Sequence, residues 1–325
     1  MDSTLRPMST GQALDRTFHL YRDHFLLFAG ISALPPAVLL IAQVGFVLTL
    51  GSTLKLDFLP AEAVFAVWIV AVVVAYLVAL SFATGATVYA VSRVHLGHGI
   101  RINESYKVIQ PLLWRIVRIV LSVTVRFAGA IAVAVAVGVV PIRLMATLEH
   151  TLMNPTAFMV ISWGGGLLLV VAVIVCVIWA IRLYCSYQLA VPVCVLENRG
   201  AVDCMKRSRF LSRGKGVQRI LLVLFLSAVL TYILSLAFSM PVMMLAMVSA
   251  IGNATRLAMP IVIWQYLASF FAGTIAGPIA TIALGILYYD ERVRKEAFDL
   301  QLMMEAVGQQ QAPQTAAAAA PPAFG

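Results

Sequence analysis

The chain has 325 residues, 62% of them hydrophobic and only 11% charged, with a mean hydropathy of +0.95. Soluble domains are nearer half apolar and a quarter charged, so a fold that shows a polar surface to water on all sides is excluded. The net charge of +9 would suit nucleic acid, but the basic residues lie in short loops between apolar runs. That placement points to anionic lipid headgroups and excludes nucleic acid as the partner.

The first 23 residues are polar and mixed in charge, unlike a secretory signal. Within them, STGQALDRTFHLYRD (9–23) predicts a short amphipathic helix. Ser9 with Gln12 fits a capping box, and Leu14, Phe18, Tyr21 and Phe25 share one face. Such a helix is expected to lie in a membrane interface with that face in the acyl boundary; a plain extension of the first span is the alternative. The first apolar run, about 25–50, is long enough to cross a bilayer, and Pro35-Pro36 must kink or interrupt it.

The second span is about 63–91. A basic stretch follows with Arg93, His95, His98, Arg101, Lys107, Arg115 and Arg118, and within it NESYKVIQPLLWRIVRI reads as another interfacial helix. It feeds a third span, about 119–140, and the fourth runs about 158–181. Pro192 argues against one continuous helix from there. The most basic segment comes next, carrying Arg199, Lys206, Arg207, Arg209, Arg213, Lys215 and Arg219, which are candidate contacts for lipid headgroups or a partner. The fifth span is about 220–248 and the sixth about 260–289. Residues 1–308 form one six-helix domain, and 309–325 are low in complexity and expected to be disordered.

Lys and Arg set the orientation. With the N-terminus inside, 19 of the 23 fall on the inner side and only Lys55, Arg143 and Arg256 on the outer, with Arg126 inside the third span. The fold expected is therefore all-α: a polytopic membrane bundle of six spans arranged as three hairpins, each preceded by a cytoplasmic amphipathic helix. Both termini would be cytoplasmic. Pro36, Pro141 and Pro241 in or after the odd spans, and Pro60, Pro155 and Pro260 before the even ones, suggest a threefold internal repeat.

Catalytic signatures are absent. No H-E-x-x-H, no Gly-x-Ser-x-Gly elbow and no Walker sequence occurs, so no enzyme activity and no cofactor is expected. His95-Leu-Gly-His98 lacks a third metal ligand. Cys176, Cys185, Cys194 and Cys204 are spaced unlike a zinc site and read as small buried residues. Arg126 is an intramembrane charge, hence either a functional site or a side chain that snorkels or pairs structurally. Ser269, Gly273, Gly277, Thr281 and Gly285 place a small residue at every fourth position, the pattern of close helix packing, with a substrate path as the alternative. Gly164–Gly166 and the alanines of 130–136 suggest the same packing. Met240, Met243, Met244 and Met247 read as core filler.

Three stretches, LRPMSTGQALDRTFHLYRDHF, VPVCVLENRGAVDCMKRSRFLSRGKG and above all TIALGILYYDERVRKEAFDLQLM, resemble the bacterial glycerophosphoryl diester phosphodiesterase membrane-domain family. The resemblance covers nearly the whole chain up to its tail. It implies an inner-membrane six-helix region which, in some members, precedes a catalytic barrel. No His-Arg-Gly and no Pro-Glu-Asn-Thr element is present, so no catalytic residue carries over. The expectation is a non-enzymatic bacterial inner-membrane protein, a scaffold or lipid-interacting module acting through protein partners or as a homo-oligomer. A transporter or flippase-like permease is the alternative. In the helix after the last span, Asp290–Arg294 and Glu291–Lys295 should pair at i,i+4, with Val293, Ala297, Leu300 and Met304 on one face.

Overall fold

Every regular element among the described residues is a helix. The computed structural model describes residues 8–51, 61–95, 97–149, 155–251 and 258–296. The expected tail, the face continuing through Ala297, Leu300 and Met304, and the loops holding Lys55, His150 and Arg256 lie outside them.

Three short helices open the chain: α1 (Thr10–Asp23), α2 (Phe25–Ser32) and α3 (Leu34–Gly51). The capping box forms as the sequence predicts: Gln12 N–H donates to Ser9 Oγ, and Ser9 N–H donates back to Gln12 Oε1 at 2.8 Å. α1 is a helix in its own right, because the backbone breaks at His24 (φ −126°, ψ 37°). Its seat differs from the expected one. Ala13, Thr17 and Tyr21 are buried and α1 packs on the last helix, while Phe18 and Phe25 stay about 40% exposed. Small residues let the α1 backbone approach its neighbour, so the protein takes one edge of the apolar face and leaves the aromatic edge outside.

The long helices are α4 (Ala61–His95), α6 (Leu113–Glu149), α7 (Pro155–Tyr187), α10 (Lys215–Ile251) and α11 (Ala258–Glu296). Shorter ones connect them: α5 (Ile102–Ile109), a 3-10 turn over Gln110–Leu112, α8 (Ala190–Glu197) and α9 (Ala201–Leu211). Five helical stretches are long and apolar enough to cross a membrane: Glu62–Val94, Ile102–Pro141, Gly165–Glu197, Lys215–Met247 and Ile261–Glu296. A sixth exists if Phe25–Ser32 and Leu34–Val47, bent by 44°, count as one broken span. The break falls at Ala33, just before Pro35-Pro36. The second break, at Gln188–Leu189, precedes Pro192, which sits in the first turn of α8 where a missing N–H costs nothing.

Neighbours in sequence pack together, α3 on α4, α6 on α7 and α10 on α11. α11 is the axle. In its apolar window 56% of residues are buried, against 6–17% in the other four candidate spans, and it touches α1, α2, α3, α4, α8, α9 and α10. Two small residues permit this. A Cβ on Gly273 would lie 3.0 Å from Pro36 Cγ, and one on Gly285 3.3 Å from Val91 Cγ1. Between α6 and α7, a Cβ on Gly138 would sit 3.5 Å from Val173, and Ala130 and Ala134 are buried on α6.

Two small-residue and core expectations are corrected. Gly166 has nothing within 4 Å of where its Cβ would be, so it brings no backbone close. Met240, Met243, Met244 and Met247 are 56–70% exposed. They cannot fill a core, because the far end of α10 turns them outward, the direction in which a membrane helix is apolar as well.

Candidate functional site

At one end of the bundle the short helices α1, α8 and α9 gather around the last turns of α11. Two ion-pair nets form there. In the first, Arg219 at the start of α10 bridges Asp290 and Glu291 (3.1 Å to Glu291), while Arg294 Nε holds Asp290 at 2.9 Å and Lys295 lies 3.7 Å from Glu291. The predicted i,i+4 pairs are thus formed, but each carboxylate is also engaged from another helix. The Asp290 and Glu291 side chains are 0% and 3% exposed. Burial of charge at this level is tolerated only with full pairing.

The chain's N-terminal segment is tied into this net. Met8 N–H donates to Asp290 Oδ1 (2.6 Å), and the Met8 carbonyl accepts from Arg219 (2.7 Å) and Arg294 (2.6 Å). Lys295 Nζ donates to the carbonyls of Phe210 (3.1 Å), Leu211 and Arg213 (3.0 Å). These are the orphan acceptors at the C-terminus of α9, where a cation is favourable. Gly214, at φ +73°, makes the left-handed turn into α10 that a residue with a Cβ adopts only with strain.

In the second net Tyr288, fully buried, donates to Glu197 Oε1 (2.9 Å) and accepts from Arg292 (3.2 Å). Arg207 reaches Glu197 Oε1 at 3.4 Å and pairs with Glu296, which Arg292 holds at 3.3 Å. Arg199 Nε lies 2.8 Å from Glu197 Oε2, yet this oxygen has no hydrogen bond. The distance is that of an ion pair, but the N–H is not aimed at the oxygen, so Arg199 supplies charge alone. Arg115 donates at 2.9 Å to the Oδ1 of Asn198, the αL residue (φ 48°) that ends α8.

The predicted basic candidates therefore divide. Arg207 and Arg219 are drawn into the nets and Arg199 flanks them. Lys206, Arg209, Arg213 and Lys215 are exposed and make no ion pair among the described residues. Arg126 is exposed as well; its guanidinium lies over the Tyr187 ring (5.1 Å) and against Met205 Sδ (3.1 Å). It therefore reaches from α6 towards α9. All four cysteines are free thiols. Cys194 and Cys204 are hydrogen-bonded to each other, and that bond, burial and the nearby carboxylates of Glu197 and Asp203 push the Cys204 thiol up. No group of three or more metal-ligating side chains occurs among the described residues.

A feature that sequence reading missed concerns the prolines. Proline at position i removes the donor for the carbonyl at i−4. Pro278, inside α11, orphans Thr274 O, and Ser32 Oγ donates to that oxygen at 3.1 Å. One residue on, Tyr21 Oη donates to Ile275 O at 2.6 Å. Pro35 orphans Ile31 O, and Tyr106 Oη of α5 donates there at 2.6 Å. Counting back four residues from each internal proline gives the acceptors from sequence; it does not give the donors, which come from other helices.

Two cavities lie between the long helices, the second reaching Tyr187 and α8 beside the charged end. The first, about 260 Å³, lies among α2, α3, α4, α10 and α11; the second, about 290 Å³, among α4, α6, α7, α8, α10 and α11. Leu80 and Thr84 of α4 with Gly277 and Thr281 of α11 line both, so the two cavities share a wall. Neither is lined by Asp, Glu, Lys, Arg or His. The predicted stripe splits in role: Gly273 and Gly285 meet neighbours closely, while Ser269, Gly273, Gly277 and Thr281 line the first cavity.

Comparison with known protein families, with curated proteins and with solved structures finds no match to this chain.

Proposed function

We propose that this chain is a non-enzymatic membrane protein that works by contact with lipid, as a scaffold or lipid-interacting module, and not by bond chemistry. It would cross a bacterial inner membrane six times as three hairpins, with both termini and the ion-pair end in the cytoplasm. The resemblance to the membrane domain found beside some glycerophosphoryl diester phosphodiesterases belongs to this proposal. One observation carries it. The charged end sorts its cations: Arg207, Arg219, Arg292, Arg294 and Lys295 pair with carboxylates, whereas Lys206, Arg209, Arg213 and Lys215 are left exposed on and just after α9. A rigid platform with outward cations beside apolar helices suits anionic headgroups, each cation adding about 1 kcal/mol.

The test is native mass spectrometry of the full chain from nanodiscs containing equal phosphatidylglycerol and phosphatidylcholine. Phosphatidylglycerol should be retained preferentially, less so at high salt, and the preference should fall in K206Q/R209Q/R213Q/K215Q. Equal retention of the two lipids by the native chain would defeat the reading. A permease is the second reading, favoured by the wall that the two cavities share; solute flux across reconstituted liposomes, abolished by bulky substitution of Thr281, is its test.

A further inference from the structure

The first cavity holds more hydrogen-bonding capacity than the protein uses. Its polar lining comes from five helices: Ser32 (α2), Gln43 (α3), Tyr76, Thr84 and Thr87 (α4), Thr231 (α10), and Tyr266, Ser269 and Thr281 (α11). Four of these hydroxyls are committed to backbone carbonyls: Ser32 to Thr274 O (3.1 Å), Thr84 to Leu80 O (2.6 Å), Thr231 to Ser227 O (2.7 Å) and Ser269 to Gln265 O (3.0 Å). The side chains of Gln43, Tyr76, Thr87, Tyr266 and Thr281 make no hydrogen bond with any described residue. Thr87 is only 1% exposed.

Gln43, Tyr76, Tyr266 and Thr281 are half-buried; polar groups with no protein partner are costly away from water, and more so at mid-length of helices suited to lipid, where no bulk water relieves them. A polar cavity of this size admits water, about 30 Å³ per molecule, and whatever displaces that water must replace its hydrogen bonds. The converging groups are hydroxyls and one amide, able to donate and to accept. No cation lines the cavity to neutralise a phosphate, and no carboxylate to neutralise an amine. The remaining wall is apolar: Pro35, Pro36, Leu39, Leu80 and Phe270.

We propose that this cavity is a binding site for an uncharged polyol group, either free or as the hydroxylated head of a neutral glycerolipid. Tyr76, Thr87 and Tyr266 are its principal hydrogen-bonding residues. The site stands apart from the headgroup contacts at the charged end and does not depend on them.

The full chain in phosphatidylcholine nanodiscs is tested with three probes: dioleoylglycerol, dioleoyl phosphatidic acid, which has the same chains and a charged head, and free glycerol. Retention of the two lipids is read by native mass spectrometry, and glycerol by the shift in melting temperature at one concentration, native chain against variant. Dioleoylglycerol should be retained on the order of tenfold more than phosphatidic acid. The variant Y76F/T87V/Y266F should lose that preference by a similar factor, since each hydrogen bond is worth roughly a few-fold to tenfold. Because the three groups bond nothing in the protein, the variant should melt no lower than the native chain without ligand.

Glycerol stabilisation that vanishes in the variant, with no dioleoylglycerol preference, supports the free polyol as the source; a dioleoylglycerol preference alone supports the lipid. Equal retention of phosphatidic acid without a glycerol stabilisation that the variant abolishes, a preference unchanged in the variant, no response to any probe, or a variant destabilised before ligand is added would each overturn the proposal. K206Q/R209Q/R213Q/K215Q should leave the dioleoylglycerol result unchanged, which separates this site from the charged end.

Discussion

Replacing Arg219 with methionine tests whether the charged end is a lock or an ornament. The guanidinium donates to Asp290, to Glu291 at 3.1 Å and to the Met8 carbonyl at 2.7 Å, and its side chain is 13% exposed. Methionine fills much of the volume but removes the charge. Asp290 keeps Arg294, and Glu291 keeps Lys295 at 3.7 Å, so neither carboxylate is left wholly alone. Removing one partner from a buried pair costs about 3–5 kcal/mol, and the surviving cations place this case near about 3 kcal/mol. Arg219→Lys should recover only part, since an ammonium cannot span two carboxylates and a carbonyl as the planar fork does. The assay is reversible unfolding in detergent or bicelles, together with amide exchange at residues 8–23. R219M should lower stability by about 3 kcal/mol and speed exchange in α1, because the Met8 carbonyl that precedes it loses one of its two arginine clamps. Under about 1 kcal/mol of change, with α1 exchange unaltered, would refute the reasoning and reduce the net to surface pairing.

The glycines of α11 should not behave alike. Gly277→Ala should be neutral or slightly stabilising, because its Cβ would meet Ser32 Cβ at an ordinary 3.8 Å and helix propensity gains about 1 kcal/mol. Gly273→Ala should cost about 1–3 kcal/mol in the same unfolding assay, since its Cβ would stand 3.0 Å from the stiff ring of Pro36. Tyr106→Phe leaves Ile31 O without the donor that Pro35 cannot provide, and about 1–3 kcal/mol should be lost; equal stability of mutant and native chain would show that another group reaches this carbonyl. Tyr21 supplies a pH dependence. Burial pushes its hydroxyl up to about 12 from 10.0, so the folded state prefers the neutral phenol. That contribution is complete below pH 10 and is lost as pH rises through the folded value. An alkaline melting series should show a steeper decline for the native chain than for Tyr21→Phe.

Much of the architecture was legible in the sequence because its signals are strong and local. Apolar runs longer than a bilayer is thick, the capping box at Ser9 and Gln12, the break before Pro35-Pro36 and the i,i+4 pairs at Asp290–Arg294 and Glu291–Lys295 all appear where residue order puts them. What periodicity could not supply is which helix meets which. Arg219 looked like one more cation in a basic segment. Only the fold brings it across 71 residues of chain to Asp290, turning a headgroup candidate into the centre of a buried net. The methionines of α10 failed for a related reason. In a soluble protein an apolar face predicts burial, whereas on a helix apolar all round it predicts nothing about which side faces the protein.

The cavity shows the same limit and also how it can be passed. Hydroxyls in apolar helices usually bond back to their own backbone, as Ser81, Thr84, Ser227 and Thr231 do here. A second group repairs what proline breaks: Ser32 serves the carbonyl orphaned by Pro278, and Tyr106 the one orphaned by Pro35. Both groups have structural duties, and removing their oxygens should weaken the fold. Gln43, Tyr76, Thr87, Tyr266 and Thr281 belong to neither, yet they converge on one space between α3, α4 and α11. The 44° bend that the prolines impose between α2 and α3, with Pro36 held close at Gly273, gives that space one of its walls. Ser32, one of the repairing groups, lines the same cavity as the unused polar groups. If the second set were only structural, its members would have found carbonyls as the first set did.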